Sequence, residues 1–208
     1  DPFNPREIRN SAERLRALGY FADVQAESRQ GSSPEQVIVD VNVEEQPTGS
    51  LSFGASYGVA TGVGFNVGLS EKNFLGRGQQ LDLSFATGSG TQSSGLTFVE
   101  PYFLGRNLKA RAQVWYNTTD RLNSEYNTRT VGLLTGIEFP VSENGRLELR
   151  YKLSKDTLYG VEEDHIDPDT GEEVGSSPIL FNEQGGYFTS ALGYTYSYDS
   201  RTAGLDPL

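Results

Sequence analysis

Hydrophobic residues alternate with polar or small ones through most of the chain, and the alternation begins at Gly49. Leu51, Phe53, Ala55 and Tyr57 fall on one side of a strand, and Ser50, Ser52, Gly54, Ser56 and Gly58 fall on the other. The next run repeats the rule, with Val63, Phe65, Val67 and Leu69 against Gly62, Gly64, Asn66, Gly68 and Ser70. Leu81, Leu83 and Phe85 set a third strand, Leu96 and Phe98 a fourth, and Leu108, Ala110, Ala112, Val114 and Tyr116 a fifth. Val131, Leu133, Ile137 and Phe139 set a sixth, Leu147, Leu149, Tyr151 and Leu153 a seventh, and Phe188, Leu192, Tyr194, Tyr196 and Tyr198 an eighth. The pattern predicts about eight antiparallel strands, each with one apolar and one polar or small face.

The connections differ by end. Asn73–Gly78 (NFLGRG), Pro101–Asn107 (PYFLGRN) and Pro140–Gly145 (PVSENG) are compact and occur at every second junction. The other junctions lengthen along the chain, from residues 59–61 through 88–92 and 117–125 to 160–183. Short turns on one side and longer loops on the other are the asymmetry of outer-membrane barrels. Several strands reach about 10 residues, enough to cross a bilayer when tilted. Phe74, Tyr102, Phe103, Tyr194, Tyr196 and Tyr198 stand near strand ends, where an aromatic girdle belongs. A soluble carrier barrel has the same alternation turned inside out. Strand length and the aromatic ends favour the membrane. On that assignment Leu51, Phe53, Val63, Phe65, Val67, Leu149 and Tyr151 face lipid, and Ser52, Gly54, Asn66, Arg111 and Arg150 face the lumen.

Residues 1–46 follow another period. Asn4 suits the N-cap and Pro5 the first turn of a helix in which Ile8, Ala12, Leu15 and Leu18 recur on one face, and Gly19 ends it. Phe21–Arg29 and Gln36–Glu45 then alternate as strands joined by a turn at Gly31–Pro34, with Val37, Val39, Val41 and Val43 on one face of the second. A helix on a small sheet is expected here, as part of a larger α+β module. Pro47 and Thr48 mark the boundary, giving domains of 1–47 and 48–208.

Composition narrows the classes. A mean hydropathy of -0.48 and the lack of any apolar run of about 18 residues argue against a helical span, but leave a β-barrel open. The net charge of -11 argues against nucleic acid as a partner, and the absence of Cys excludes a disulfide framework and thiolate chemistry. Much of the acid lies in Val161–Val174 (VEEDHIDPDTGEEV), so residues 160–183 are expected to form a mobile surface loop with little regular structure. The sequence does not open on a secretory leader or an initiator Met, and it is expected to be a mature segment or a piece cut from a longer chain.

Candidate chemistry is sparse. The glycines of GVGFNVG lie inside an alternating strand and precede no helix, which argues against a phosphate loop. Asp167, Asp169 and Gly171 resemble part of a calcium loop, but Glu172 stands where the turn needs glycine. His165 is the only histidine and sits among acids beside Pro168, as a solvated side chain would. Lys109, Arg111, Arg150 and Lys152 could form a cationic strip, although Glu138 and Glu148 nearby favour a mixed wall. No catalytic constellation, cofactor site or metal site is expected, and the chain is read as a non-enzyme.

The block from VNVEEQPTGS through GSLSFGASYG and GVGFNVGLSEKNFLGRG resembles the start of the barrel in the BamA family of outer-membrane assembly factors. REIRNSAERLRALGYF with ADVQAESRQ resembles the second half of that family's last POTRA domain, and VEPYFLGRNLKARAQVWYN resembles its fourth and fifth strands. The resemblance implies a mainly β chain: antiparallel transmembrane strands forming about half of a sixteen-stranded barrel, preceded by a partial POTRA domain in the periplasm. It implies assembly and insertion of β-barrel proteins into the bacterial outer membrane. Unfolded barrel clients, periplasmic lipoproteins and outer-membrane lipid are the partners it implies. Related members act as secretion or translocation pores, so that alternative and a passive channel stay open.

In that family the first strand is the edge of a seam that opens laterally. The resemblance therefore marks Ser50, Leu51, Ser52, Phe53, Gly54, Ala55, Ser56, Tyr57 and Gly58 as the edge that pairs with client strands. Glycine-rich strands hold fewer cross-strand contacts and slip register more easily, which suits a weak edge. Valine at Gly54 or Gly58 is expected to stiffen it.

Overall fold

The computed structural model describes residues 4–33, 36–59, 62–120, 126–161, 163, 165–166, 168–169 and 173–200. The chain forms two compact units, Asp1–Gly49 and Ser50–Leu208.

In the first unit, helix α1 (Pro5–Ala17) begins where the Asn4 side chain accepts a hydrogen bond from the Arg6 N–H at 3.1 Å. It stops before Gly19, whose φ of 71° is a conformation only glycine adopts without strain. Strands β1 (Phe21–Gln30) and β2 (Val37–Glu45) pair antiparallel, and Val24 is completely buried. Arg16 ties the helix to β1 by donating to the Val24 carbonyl and meeting Asp23 at 3.8 Å, and it also pairs within the helix with Glu13 at 2.7 Å. Across the hairpin, Arg29 meets Asp40 at 2.6 Å, and this hydrogen bond holds the guanidinium proton above its ordinary range. Ile8, Ala12 and Leu15 face Ala26, Val39 and Val41 across a cavity of about 350 Å³. The valine row of β2 stays substantially exposed.

The second unit is a meander. Its strands are β3 (Gly49–Gly58), β4 (Gly62–Phe74), β5 (Gln79–Gly88), β6 (Thr91–Glu100), β7 (Lys109–Thr119), β8 (Asn127–Pro140) and β9 (Gly145–Tyr159). A two-residue ladder, β10 (His165–Ile166) with β11 (Glu173–Val174), and a short helix α2 (Pro178–Asn182) precede β12 (Gly185–Tyr198). Eight of these strands form one sheet in the order β12-β9-β8-β7-β6-β5-β4-β3. No helix among the described residues is long and apolar enough to cross a membrane, which says nothing against crossing by strands.

Register sorts most apolar side chains onto one face. One rung runs Leu69, Leu83, Leu96, Val114, Leu133 and Leu153, and the next, from the adjacent position of each strand on that face, runs Val67, Phe85, Ser94, Tyr116, Val131, Lys155 and Phe188. The opposite face carries Asn66, Ser93, Asn117, Thr130 and Asp156 along one rung, and Arg111, Gly136 and Arg150 along another. Most of the large apolar side chains are exposed, so the apolar face has no protein layer over it.

Two of the compact turns share one geometry. Leu75 and Leu104 adopt φ values of 55° and 57°, each followed by a glycine also at positive φ. The Gly76 N–H donates to the Asn73 carbonyl and the Gly105 N–H to the Tyr102 carbonyl, both at 2.9 Å. The repeated FLGR sequence is thus a repeated turn.

The expectation of an irregular loop over residues 160–183 needs correction. Ser177 caps α2 by accepting from the Leu180 N–H at 3.4 Å, and Pro178 occupies the first helical position. Val161 is buried, and its backbone N–H and carbonyl are both bonded by the Gln184 amide at 3.4 Å. Acidic composition masked an ordinary capping signal in SSPILFN. Glu162, Asp164, Asp167, Gly171 and Glu172 lie outside the described residues, and with them most of the calcium-loop reading.

Candidate strand-pairing edge

β3 ends the sheet order. Leu51, Phe53 and Tyr57 on its apolar face are 58%, 74% and 77% exposed, and Ser50, Ala55 and Ser56 are exposed as well. Among the described residues a single side-chain hydrogen bond ties β3 to its neighbour, from Ser52 Oγ to the Gly68 carbonyl at 3.3 Å.

The polar face explains the glycines. A Cβ placed at Gly68 would stand 2.7 Å from Ser52 Oγ, and one at Gly64 would stand 2.8 Å from Ser56 Oγ. The Asn66 amide fills the space that a Cβ at Gly54 would need. Three cross-strand contacts therefore each set a glycine against a side chain of the facing strand. Glycine is required here for close approach. This revises the expectation for Gly54: valine there strikes Asn66 before it can stiffen the strand. Gly58 remains the position for that test.

Elsewhere on this face the same device carries larger groups. The Trp115 indole lies over Gly132, Glu148 Oε1 would be 3.2 Å from a Cβ at Gly136, and the Arg150 guanidinium would be 3.0 Å from one at Gly193. Lys152 stands 5.6 Å from the centre of the Trp115 ring. Trp115 is the only tryptophan, and its place on the polar side of an alternating strand was the available signal for this packing.

The cations are interleaved with carboxylates, in keeping with the mixed wall that Glu138 and Glu148 favoured over a cationic strip. Lys109 meets Glu138 at 3.7 Å, and Glu148 lies 3.8 Å from Arg111 and 3.6 Å from Arg150. Arg146 also pairs with Glu138. The wall is mixed in sign. His165 enters the structure through its backbone pairing with Val174.

The model of the Omp85 superfamily domain matches residues 73–208, and that of the surface antigen variable number repeat, a POTRA module, matches residues 1–46. The chain belongs to the Omp85 superfamily. Its relatives lie in the BamA family. It is 26% identical to the outer membrane protein assembly factor BamA of Neorickettsia risticii over 99% of its own length and 29% of the relative's. It is 28% identical to BamA of Neisseria meningitidis serogroup B over 70% of its length and 19% of the relative's. The crystal structure of BamA from Haemophilus ducreyi lacking POTRA domains 1–3 covers 96% of the chain with a TM-score of 0.67 at 23% identity, over 39% of that protein. The chain thus spans less than a third of the curated relatives named here. The strand region is a segment of an outer-membrane β-barrel, and residues 1–47 belong to the periplasm.

Proposed function

We propose that this segment serves the assembly and insertion of β-barrel proteins into the outer membrane, with Ser50–Gly58 as the edge that pairs with a client strand. The construction of β3 carries the reading: it ends the sheet, and its small side chains meet glycines across β4 with one side-chain hydrogen bond among the described residues. An unpaired row of backbone N–H and C=O groups templates another strand, and a neighbour held mainly by its backbone yields to one most easily. Unfolded outer-membrane barrel chains are the proposed clients. Periplasmic lipoproteins of an assembly complex and the surrounding lipid are the other proposed partners.

Full-length protein in liposomes, mixed with an unfolded barrel client, tests this. Accelerated appearance of folded, protease-protected client supports assembly. Solute leakage that is indifferent to client, with no gain in client folding, would favour the passive pore.

A further inference from the structure

The apolar face of the sheet carries two cations at one end. Two neighbouring rungs, Leu69 to Leu153 and Val67 to Phe188, line a depression of about 1010 Å³. The rung beyond them changes character: Thr87, Gln92, Thr118, Arg129 and Thr157 follow one another across five strands. On β5 to β9 the apolar band ends here, while on β4 the same rung carries Phe65. Lys155 stands one rung inside that limit and lines the depression, while Arg129 stands on it, opposite Thr157.

Both side chains are exposed, and no ion pair engages either among the described residues. Each is seated instead on an aromatic ring of the same face. The Arg129 guanidinium lies 5.1 Å from the Tyr159 ring centre, and the Lys155 ammonium 5.5 Å from that of Phe188. Asp156 lies next to Lys155 in sequence but on the other face, where it accepts from Thr130 at 2.8 Å. On strands two residues apart in register, Arg129 and Lys155 are diagonal neighbours about 7–8 Å apart at the backbone, within reach of one phosphate.

A strand that starts at Gly49, next in sequence to a periplasmic segment, runs outward, so β8 begins and β9 ends at the outer surface. We infer that Arg129, Lys155 and the adjoining depression bind a phosphate-bearing lipid of the outer leaflet, its acyl chain along the two apolar rungs and its phosphate between the two cations. The inference rests on the apolar face meeting lipid and is independent of client pairing at β3. Aromatic seating holds the cations at the band's edge, where a long side chain keeps its charge at headgroup level.

Full-length protein in detergent, titrated with diphosphoryl lipid A and with the same lipid dephosphorylated, provides the test, with bound lipid counted by native mass spectrometry. R129Q/K155Q should bind the diphosphoryl form about 25-fold more weakly than the unaltered protein, about fivefold per cation. The dephosphorylated form should bind both proteins equally, and R129K/K155R should retain tight binding. If the double variant fails to fold, K155Q alone should show the fivefold loss. Equal affinity of variant and parent for the diphosphoryl lipid overturns the inference. So does an equal loss for the dephosphorylated lipid, or full displacement by millimolar inorganic phosphate, which would mark a free-anion site.

Discussion

The β3–β4 side and the β7–β9–β12 side of the sheet are built by the same device with different cargo. On both, a glycine admits a side chain from the next strand. At β3 and β4 the admitted groups are Ser52, Ser56 and Asn66; on the far side they are Trp115, Glu148 and Arg150. The end strands differ accordingly. β12 is paired with β9 over 14 residues and is tied further by Arg150 to Thr195, Tyr151 to Ser190 at 3.0 Å and Thr189 to Asp156 at 3.4 Å. β3 has Ser52. The comparison teaches that glycine content alone does not make an edge weak; what leans on the glycine decides.

The largest effect should come from the far side. Gly132→Val drives a branched side chain into the Trp115 ring, and should cost about 3 kcal/mol in urea unfolding in detergent. A change below about 1 kcal/mol would mean the indole swings aside freely and the two sides do not differ. Arg150→Ala removes a tie to β12 and a contact with Glu148, and should cost about 1–1.5 kcal/mol by the same assay. Gly54→Val displaces only a short amide, so about 1 kcal/mol is expected, with Asn66→Gly in the same chain restoring most of it. Failure of that rescue would break the steric account of Gly54. Ser52→Ala, which deletes one exposed hydrogen bond, should change stability by about 0.5 kcal/mol at most while leaving client insertion intact.

The strands and their faces were legible because period-two alternation survives whatever the neighbours are, as in Leu147, Leu149, Tyr151 and Leu153. The α1 start was legible for a local reason: Asn4 and Pro5 act within one turn. Cross-strand pairing was not, since it depends on register, and register joins Gly54 to Asn66 and Gly132 to Trp115 across loops whose length does not state it. The diagonal of Arg129 and Lys155 was hidden in the same way. The α2 cap at Ser177 is local and readable, but the acidic residues upstream of it point to a uniformly solvated segment.

Gly58→Val connects the comparison to function. It adds a β-branched side chain without the Asn66 conflict and should strengthen the edge by roughly 0.5–1 kcal/mol. Client insertion by full-length protein should slow about two- to fivefold while the barrel stays folded. Insertion at the parental rate would remove edge opening from the slow step.

Site-specific crosslinking addresses the pairing edge most directly. Single cysteines at Ser52, Ser56 and, in the interior strand β5, Ser84 would be placed in full-length protein and trapped against a cysteine in the last strand of an assembling client. The account predicts strong adducts at Ser52 and Ser56 and background at Ser84. Equal trapping at all three, or none at Ser52 and Ser56 while the client still inserts, would contradict pairing at β3.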